Sequence, residues 1–325
     1  MSYIHLKSNK KLLLGCIAAF YFASMNISAK ERLAVGTTSS SSSQYGYYVA
    51  VAQVLKNAGI SLQVVETGAS LDNLRRLSRN QIDMGLVTTN IAKLAADGDP
   101  TIGKKMAMQT LWVYAQLPQN IIVRKDSGIK TIESLNGRKF NPGIRGAATE
   151  STAIRVFKAI GVAPDFVRGS TTDTVDAIKD NRITGYVKSG VGNKVDGSTL
   201  DLASFSPIEI LSLTNKQRAI IKEEVSDVAL MDVPENSIEG SASYTTWSMG
   251  FATVVRPDFD EESAYKIAKA VFEDKEIQAG AFAVTGQFDL KQLTIDLAST
   301  PLHPGVIRYL EEQNIVIPDR LRPSL

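Results

Sequence analysis

Three times in its first hundred residues the chain runs from an apolar stretch of strand length, through small or hydroxyl residues, straight into a helical pattern. Arg32–Gly36 closes in Thr37, Thr38 and a run of five serines to Ser43, and a helix follows over about Gln44–Asn57, stopped at Ala58-Gly59. Ser61–Glu66 ends in Thr67-Gly68-Ala69-Ser70, where Ser70 is a fair N-cap for Leu71–Ser78 with Leu71, Leu74 and Leu77 on one face. Asp83–Val87 ends in Thr88-Thr89-Asn90, and a helix continues to Asp97. Strands alternating with helices in this way build a parallel α/β sheet, and the carboxyl ends of such strands line the crevice where ligands bind. The serine run alone reads equally as a flexible linker; a strand before it and a helix after it favour a turn at the cleft.

The middle of the chain continues the pattern. A strand at Arg138–Phe140 leads through Asn141-Pro142-Gly143-Ile144-Arg145-Gly146-Ala147-Ala148-Thr149 into a helix with Ala153, Ile154, Val156, Phe157 and Ile160 at helical spacing. A small-residue loop opening a helix leaves backbone N–H groups that favour an anion. Thr149 is a candidate N-cap and Arg145 a candidate bidentate partner for a carboxylate. An ordinary strand–helix turn with a surface arginine explains the stretch as well. Runs at Leu111–Gln116 and Asn120–Arg124 flank Leu117-Pro118, and the second reads as a strand leaving the first lobe. Ile183–Lys188 is a strand ending in Ser189-Gly190-Val191-Gly192, with Lys188 available as a counter-charge or simply solvated. Ser241–Val255 reads as the return crossing, Asp260 caps an amphipathic helix, a second helix covers about Asp274–Phe282, and Val306–Gln313 forms the last.

The chain begins with a targeting pattern: Lys7, Lys10 and Lys11, an apolar run over Leu12–Ala23, and small residues to Ala29. That run is too short for a bilayer span, which needs roughly 20 residues. Residues 1–29 are therefore expected to be a cleaved signal peptide and the protein to be exported to the periplasm. Removing its three lysines turns 36 basic against 34 acidic groups into 33 against 34, so nothing points to nucleic acid. Cys16 and His5 leave with the leader, so His303 is the one remaining histidine and no cysteine remains. That excludes Cys/His zinc sites, disulfides and thiol chemistry, and makes a poor toolkit for an enzyme. No metal, cofactor or catalytic residue is expected.

With these residues in place, the chain resembles the TAXI-type solute receptors of TRAP transporters. Pro301-Leu302-His303-Pro304-Gly305 with Arg308-Tyr309 is similar to that family's terminal P-L-H-P-G-A-x-R-Y-Y, and Thr67-Gly68-Ala69-Ser70 with Asn73-Leu74-Arg75 to its T-G-G-S-x-x-N-L-R. Ile122–Ile129 resembles V-V-R-x-D-S-G-I, and Gly143 with Gly146–Glu150 resembles G-P-P-G-S-G-T-E. The resemblance implies a type II periplasmic-binding fold, with two α/β lobes, a ligand cleft between them and two crossing strands as hinge. Lobe 1 would be residues 30–120 plus 251–325 and lobe 2 residues 121–250. It implies a receptor, acting as a monomer, that delivers a small glutamate- or oxoglutarate-like carboxylate to TRAP membrane subunits. It marks Thr37, Ser39, Ser42, Ser43 and Tyr45 of the first loop, Thr67, Thr88, Thr89, Asn90, and Gly146, Ala147, Ala148 and Thr149 as cleft lining, beside Arg145 and Lys188 from the residue reading. Serines replace the family's first-loop glycines, Arg145 stands at its usual proline, and Thr184-Gly185 replaces its Asp-Ala, so ligand identity does not carry over. A ligand-sensing module for a signalling partner, an exported enzyme on the same scaffold, and an interaction protein without a ligand are the other readings.

Overall fold

The computed structural model describes residues 1–2, 32–38, 40, 42–145 and 147–324; from residue 3 onward the expected leader lies outside them. The alternation holds: β1 (Arg32–Gly36), α1 (Ser43–Asn57), β2 (Ser61–Val65), α2 (Ser70–Ser78), β3 (Met84–Thr88) and α3 (Thr89–Asp97) follow one another. Then comes β4 (Gln109–Arg124), and a second alternation of β5 (Lys139–Asn141), α4 (Ala148–Ala159), β6 (Asp165–Phe166), α5 (Thr171–Lys179), β7 (Gly185–Ser189), α6 (Gly197–Phe205), β8 (Ile208–Leu211), α7 (Asn215–Glu224) and β9 (Ala229–Val233). The chain returns along β10 (Tyr244–Val255) and ends in α8 (Glu261–Glu273), α9 (Ile277–Ala281), α10 (Leu290–Leu297) and α11 (Pro304–Glu312).

The strands follow the order β2-β1-β3-β10-β4-β7-β5-β6, with β8 beside β4 and β9 beside β10. β1 is parallel to β2 and β3, and β5 is parallel to β6 and β7; β4 and β10 run antiparallel to their neighbours. β3 is buried along its whole length, as a central parallel strand covered on both faces must be. β4 carries two partners in succession: its first part pairs with β10 as far as Pro118, and from Gln119 it pairs with β7. One large apolar core gathers residues from Leu33 to Ala115 and from Ala252 to Leu321, and a second gathers Ile121 to Trp247.

Asn73 ties the first three strands together. Its side-chain amide donates to the carbonyls of Thr37 and Leu86, both at 2.8 Å, and its oxygen lies 2.7 Å from the Thr67 hydroxyl. The Thr37 hydroxyl in turn donates to the Val65 carbonyl at 2.9 Å. A bond of this kind is worth about 1 kcal/mol net, and the two buried ones from the Asn73 amide cost more if half of the pair is removed.

Several local expectations are corrected. β4 does not break at Leu117-Pro118; the proline sits where pairing passes from β10 to β7, and its carbonyl accepts from Gly190 N–H at 2.8 Å. Ser70 lies inside α2, whose N-cap is Ala69, and its hydroxyl accepts instead from Thr88 N–H at 3.1 Å. Thr149 is likewise inside α4, whose N-cap is Ala147. α9 is shorter than the span expected from Asp274: it begins at Ile277 with Glu276 as N-cap, and the Asp274 carboxylate before it accepts from Ile277 and Gln278 N–H. Trp247 needs no correction: as is usual for a lone tryptophan it is core, fully buried in the second cluster and edge-on to Phe157. Among the described residues no helix is long and apolar enough to cross a membrane.

Gly185 is required by close approach: a Cβ there would lie 2.0 Å from the Ile122 carbonyl of β4. Gly185→Ala should therefore lower the unfolding free energy by about 2 kcal/mol or more, read from urea denaturation midpoints.

Candidate functional site

A cavity of about 270 Å³ lies between the two cores. Gln44 of α1 and Thr88 at the end of β3 line it from the first half; Ile144, Ala148, Thr149, Val187, Lys188, Ser189, Gly190, Val191 and Asp196 line it from the second. Leu117 of β4 and Met249 and Phe251 of β10, the two crossing strands, also reach it. Grooves of about 340 and 460 Å³ occur elsewhere, but each is walled by elements of the larger core alone. Of these three, the 270 Å³ cavity alone joins segments from both alternations.

Four helices begin at its rim. Those of α1 and α6 are capped, by Ser42 accepting from Tyr45 N–H and by Asp196 accepting from Ser198 N–H. Those of α3 and α4 have no side-chain cap: Thr88 makes no capping bond and Ala147 has no group to make one. One helix start without a side-chain cap thus comes from each half, and such a start carries roughly half a positive charge of dipole; in the first turn of α4 stands Glu150, whose carboxylate accepts from Arg168 Nε at 2.6 Å. Thr88 is only 8% exposed, and its hydroxyl has no hydrogen-bond partner among the described residues.

The side-chain charges in the wall cancel. Lys188 Nζ lies 3.5 Å from Asp196 Oδ1 and 3.4 Å from the Thr171 hydroxyl. The same carboxylate oxygen accepts from the Ser198 N–H at 2.9 Å and hydroxyl at 2.5 Å, so Asp196 is held as a cap. Thr149 and Ser189 form a chain: Ser189 donates to Gln119 Oε1 at 2.9 Å, and its oxygen therefore receives the Thr149 proton across 2.7 Å. Gln119 Nε2 donates to the Leu117 carbonyl at 2.9 Å, which fixes that orientation.

Of the expected lining, Thr88, Ala148, Thr149 and Lys188 reach the cavity together. Thr37 and Thr67 are spent on the Asn73 tie, and Thr89 accepts from Gly250 N–H at 2.8 Å. Asn90 is buried and donates to the Thr152 hydroxyl at 3.2 Å, a contact between the two halves. Ser42 caps α1, while Ser43 is exposed and neither it, Tyr45 nor Ala147 is among the cavity walls. Arg145 is exposed and outside the walls, its backbone N–H bonding the Gly169 carbonyl at 3.4 Å; the cation that reaches the cavity is Lys188. Ser39 and Gly146 lie outside the described residues. The sequence reading missed Gln44, Ile144, Val187, Ser189, Gly190, Val191, Asp196 and the three crossing-strand residues.

His303, the only histidine among the described residues, is 1% exposed and serves as the N-cap of α11. Its Nδ1 accepts from Gly305 N–H at 3.2 Å, so Nε2 carries the proton donated to the Phe259 carbonyl at 2.9 Å. Burial pushes its pKa below the ordinary 6.5, partly offset by the Phe259 bond and by Glu261 and Asp260. Both ring nitrogens are committed to structure.

Residues 35–313 match the NMT1-like family. The chain belongs to that family. Among solved structures, this NMT1-like chain is similar to the periplasmic aliphatic sulphonate binding protein SsuA of Escherichia coli, with 16% identity, a TM-score of 0.50, and coverage of 86% of this chain and 83% of that one. It is also similar to XAC2383 of Xanthomonas citri bound to ATP, at 14% identity and TM-score 0.50, over 87% of this chain and 95% of that one. At such identities the likeness carries the fold alone, and the fold is the type II periplasmic-binding fold, with β4 and β10 as its two crossing strands.

His303 generates a pH test. The unfolded chain takes up a proton near 6.5 and the folded one does not, so stability falls as pH drops below about 6.5 and is complete above it. His303→Asn, which can still cap α11, should flatten the fall in unfolding free energy between pH 6.5 and 5.5 by up to about 1 kcal/mol relative to the parent.

Proposed function

We propose that the protein is an exported solute-binding receptor that takes a small organic anion into the cavity between its halves. The carrying observation is that α3 and α4, one from each half, both start uncapped on the same cavity wall. An anion there bridges two helix starts, accepts from the idle Thr88 hydroxyl and lies near Lys188. We take the two cores as two lobes, residues 30–120 with 251–325 and residues 121–250, that close about β4 and β10. Closure excludes water and strengthens each of these contacts.

The membership in the NMT1-like family and the likeness to SsuA support binding and transport rather than catalysis, as does a histidine tied up in a helix cap. SsuA is itself named for an anion with an aliphatic body. The finer reading is a monomeric periplasmic receptor of a TRAP-type transporter, released by cleavage of residues 1–29, that delivers a carboxylate to the membrane subunits without ATP. The motifs around Thr67 and His303 support that assignment. Deleting the genes for TRAP membrane subunits should abolish uptake of the bound solute, and unaltered uptake would remove the TRAP assignment while leaving the receptor.

Isothermal titration against carboxylates, sulfonates and amino acids tests the core reading; no heat from any of them would sink it. For an authentic ligand, Thr88→Val should weaken binding about tenfold, since a bond to a charged group is lost, with the melting temperature unchanged. Arg145→Ala should change affinity by less than about threefold, as expected of an exposed charge.

A further inference from the structure

The wall has a second property besides its open helix starts. Its two charged side chains, Lys188 and Asp196, are paired with each other, and Asp196 is further engaged in capping α6. Much of the remaining wall is apolar: Leu117, Val187, Val191, Met249, Phe251 and the exposed Ile144. The remaining polar groups, Gln44, Thr88, Thr149 and Ser189, are uncharged.

This arrangement accommodates one negative charge and no second one. A dicarboxylate seated with one end at the helix starts has to lay its other carboxylate on hydrocarbon, where an unpaired charge is costly. An α-amino acid needs a carboxylate for its ammonium, and the one present already serves Lys188 and the α6 start. An apolar body, by contrast, gains from covering Phe251, Met249 and Leu117. At about 270 Å³ the cavity is at the lower edge of the range for small-molecule sites, so the body is short. Resting on the receptor reading above, we infer that the cavity selects a small monoanion with an uncharged, apolar tail over dicarboxylates and zwitterions. The acid head is a carboxylate or a sulfonate; both present a single charge with several acceptor oxygens.

The test is isothermal titration of the full exported chain with 4-methylpentanoate, 3-methylbutane-1-sulfonate, glutarate and leucine. At least one of the first two should bind about tenfold tighter than both glutarate and leucine. Glutarate or leucine binding as tightly as the better monoanion overturns the inference while the receptor reading stands. Heat from none of the four overturns the inference and, if the wider panel is also silent, the receptor reading with it. A second arm uses Ile144→Arg: the side chain is 41% exposed, so the fold tolerates the change, and a cation is added at the apolar rim. The ratio of glutarate to 4-methylpentanoate affinity should rise about tenfold; an unchanged ratio counts against the apolar end being where a second charge would lie.

Discussion

The pairing of β4 with β10 is what the rest of the molecule depends on. The two strands face each other from Ser248 opposite Pro118 to Val255 opposite Gln109. Beyond that ladder each strand leaves for different partners in the other half: β4 for β7 and β8, β10 for β9. The two apolar cores therefore hang from one antiparallel pair and share a boundary along it. The ladder is irregular between Phe251 and Ala252, and such a bulge re-aims side chains. Phe251 is the crossing residue at that point and it enters the cavity. The cavity is thus a consequence of the pairing, placed where the carboxyl end of β3 and the start of α4 meet across the crossing strands.

The legible part of this architecture was the part written locally. A buried parallel strand is a short apolar run, and the turn that follows must free the chain for a helix, so hydroxyl and small residues mark each junction. That logic located β1 to β3, the helices between them, β7 and the return strand. It did not show β4 as continuous, because a proline inside an apolar run reads as a break until the partner strands are known. β9 and α6 were missed for a related reason. The first is a short stretch paired only with β10, and the second opens with Gly197-Ser198-Thr199, a weak helical signal stabilised by the Asp196 cap and by burial of Leu202.

Site residues divide along the same line. That Thr88 and Thr149 belong near a cleft follows from their place at strand–helix junctions. Which hydroxyl is free does not, because Thr37, Thr67, Thr89 and Ser42 occupy equivalent junctions and are consumed by Asn73, Gly250 and α1. Leu117, Met249 and Phe251 read as core, since an apolar residue on a strand looks the same whether it faces packed carbon or a void. Arg145 carried a legible charge but no legible direction; Lys188, three residues past Gly185 on a strand pressed against β4, is held inward by Thr171 and Asp196.

A cavity whose side-chain charges cancel can still favour an anion as proposed, because helix starts without a side-chain cap carry positive dipole ends that are neither titratable nor mobile. They also explain how binding can couple to closure. In this structure the halves already touch through Asn90 and Thr152 at 3.2 Å, and Gly192 packs close enough to Val284 that a Cβ there would sit 2.6 Å from its methyl group. A ligand biases a conformational equilibrium only by binding one arrangement better than another. An anion held at α3 and α4 together, as proposed, would meet that condition, because its two contacts would come from different halves.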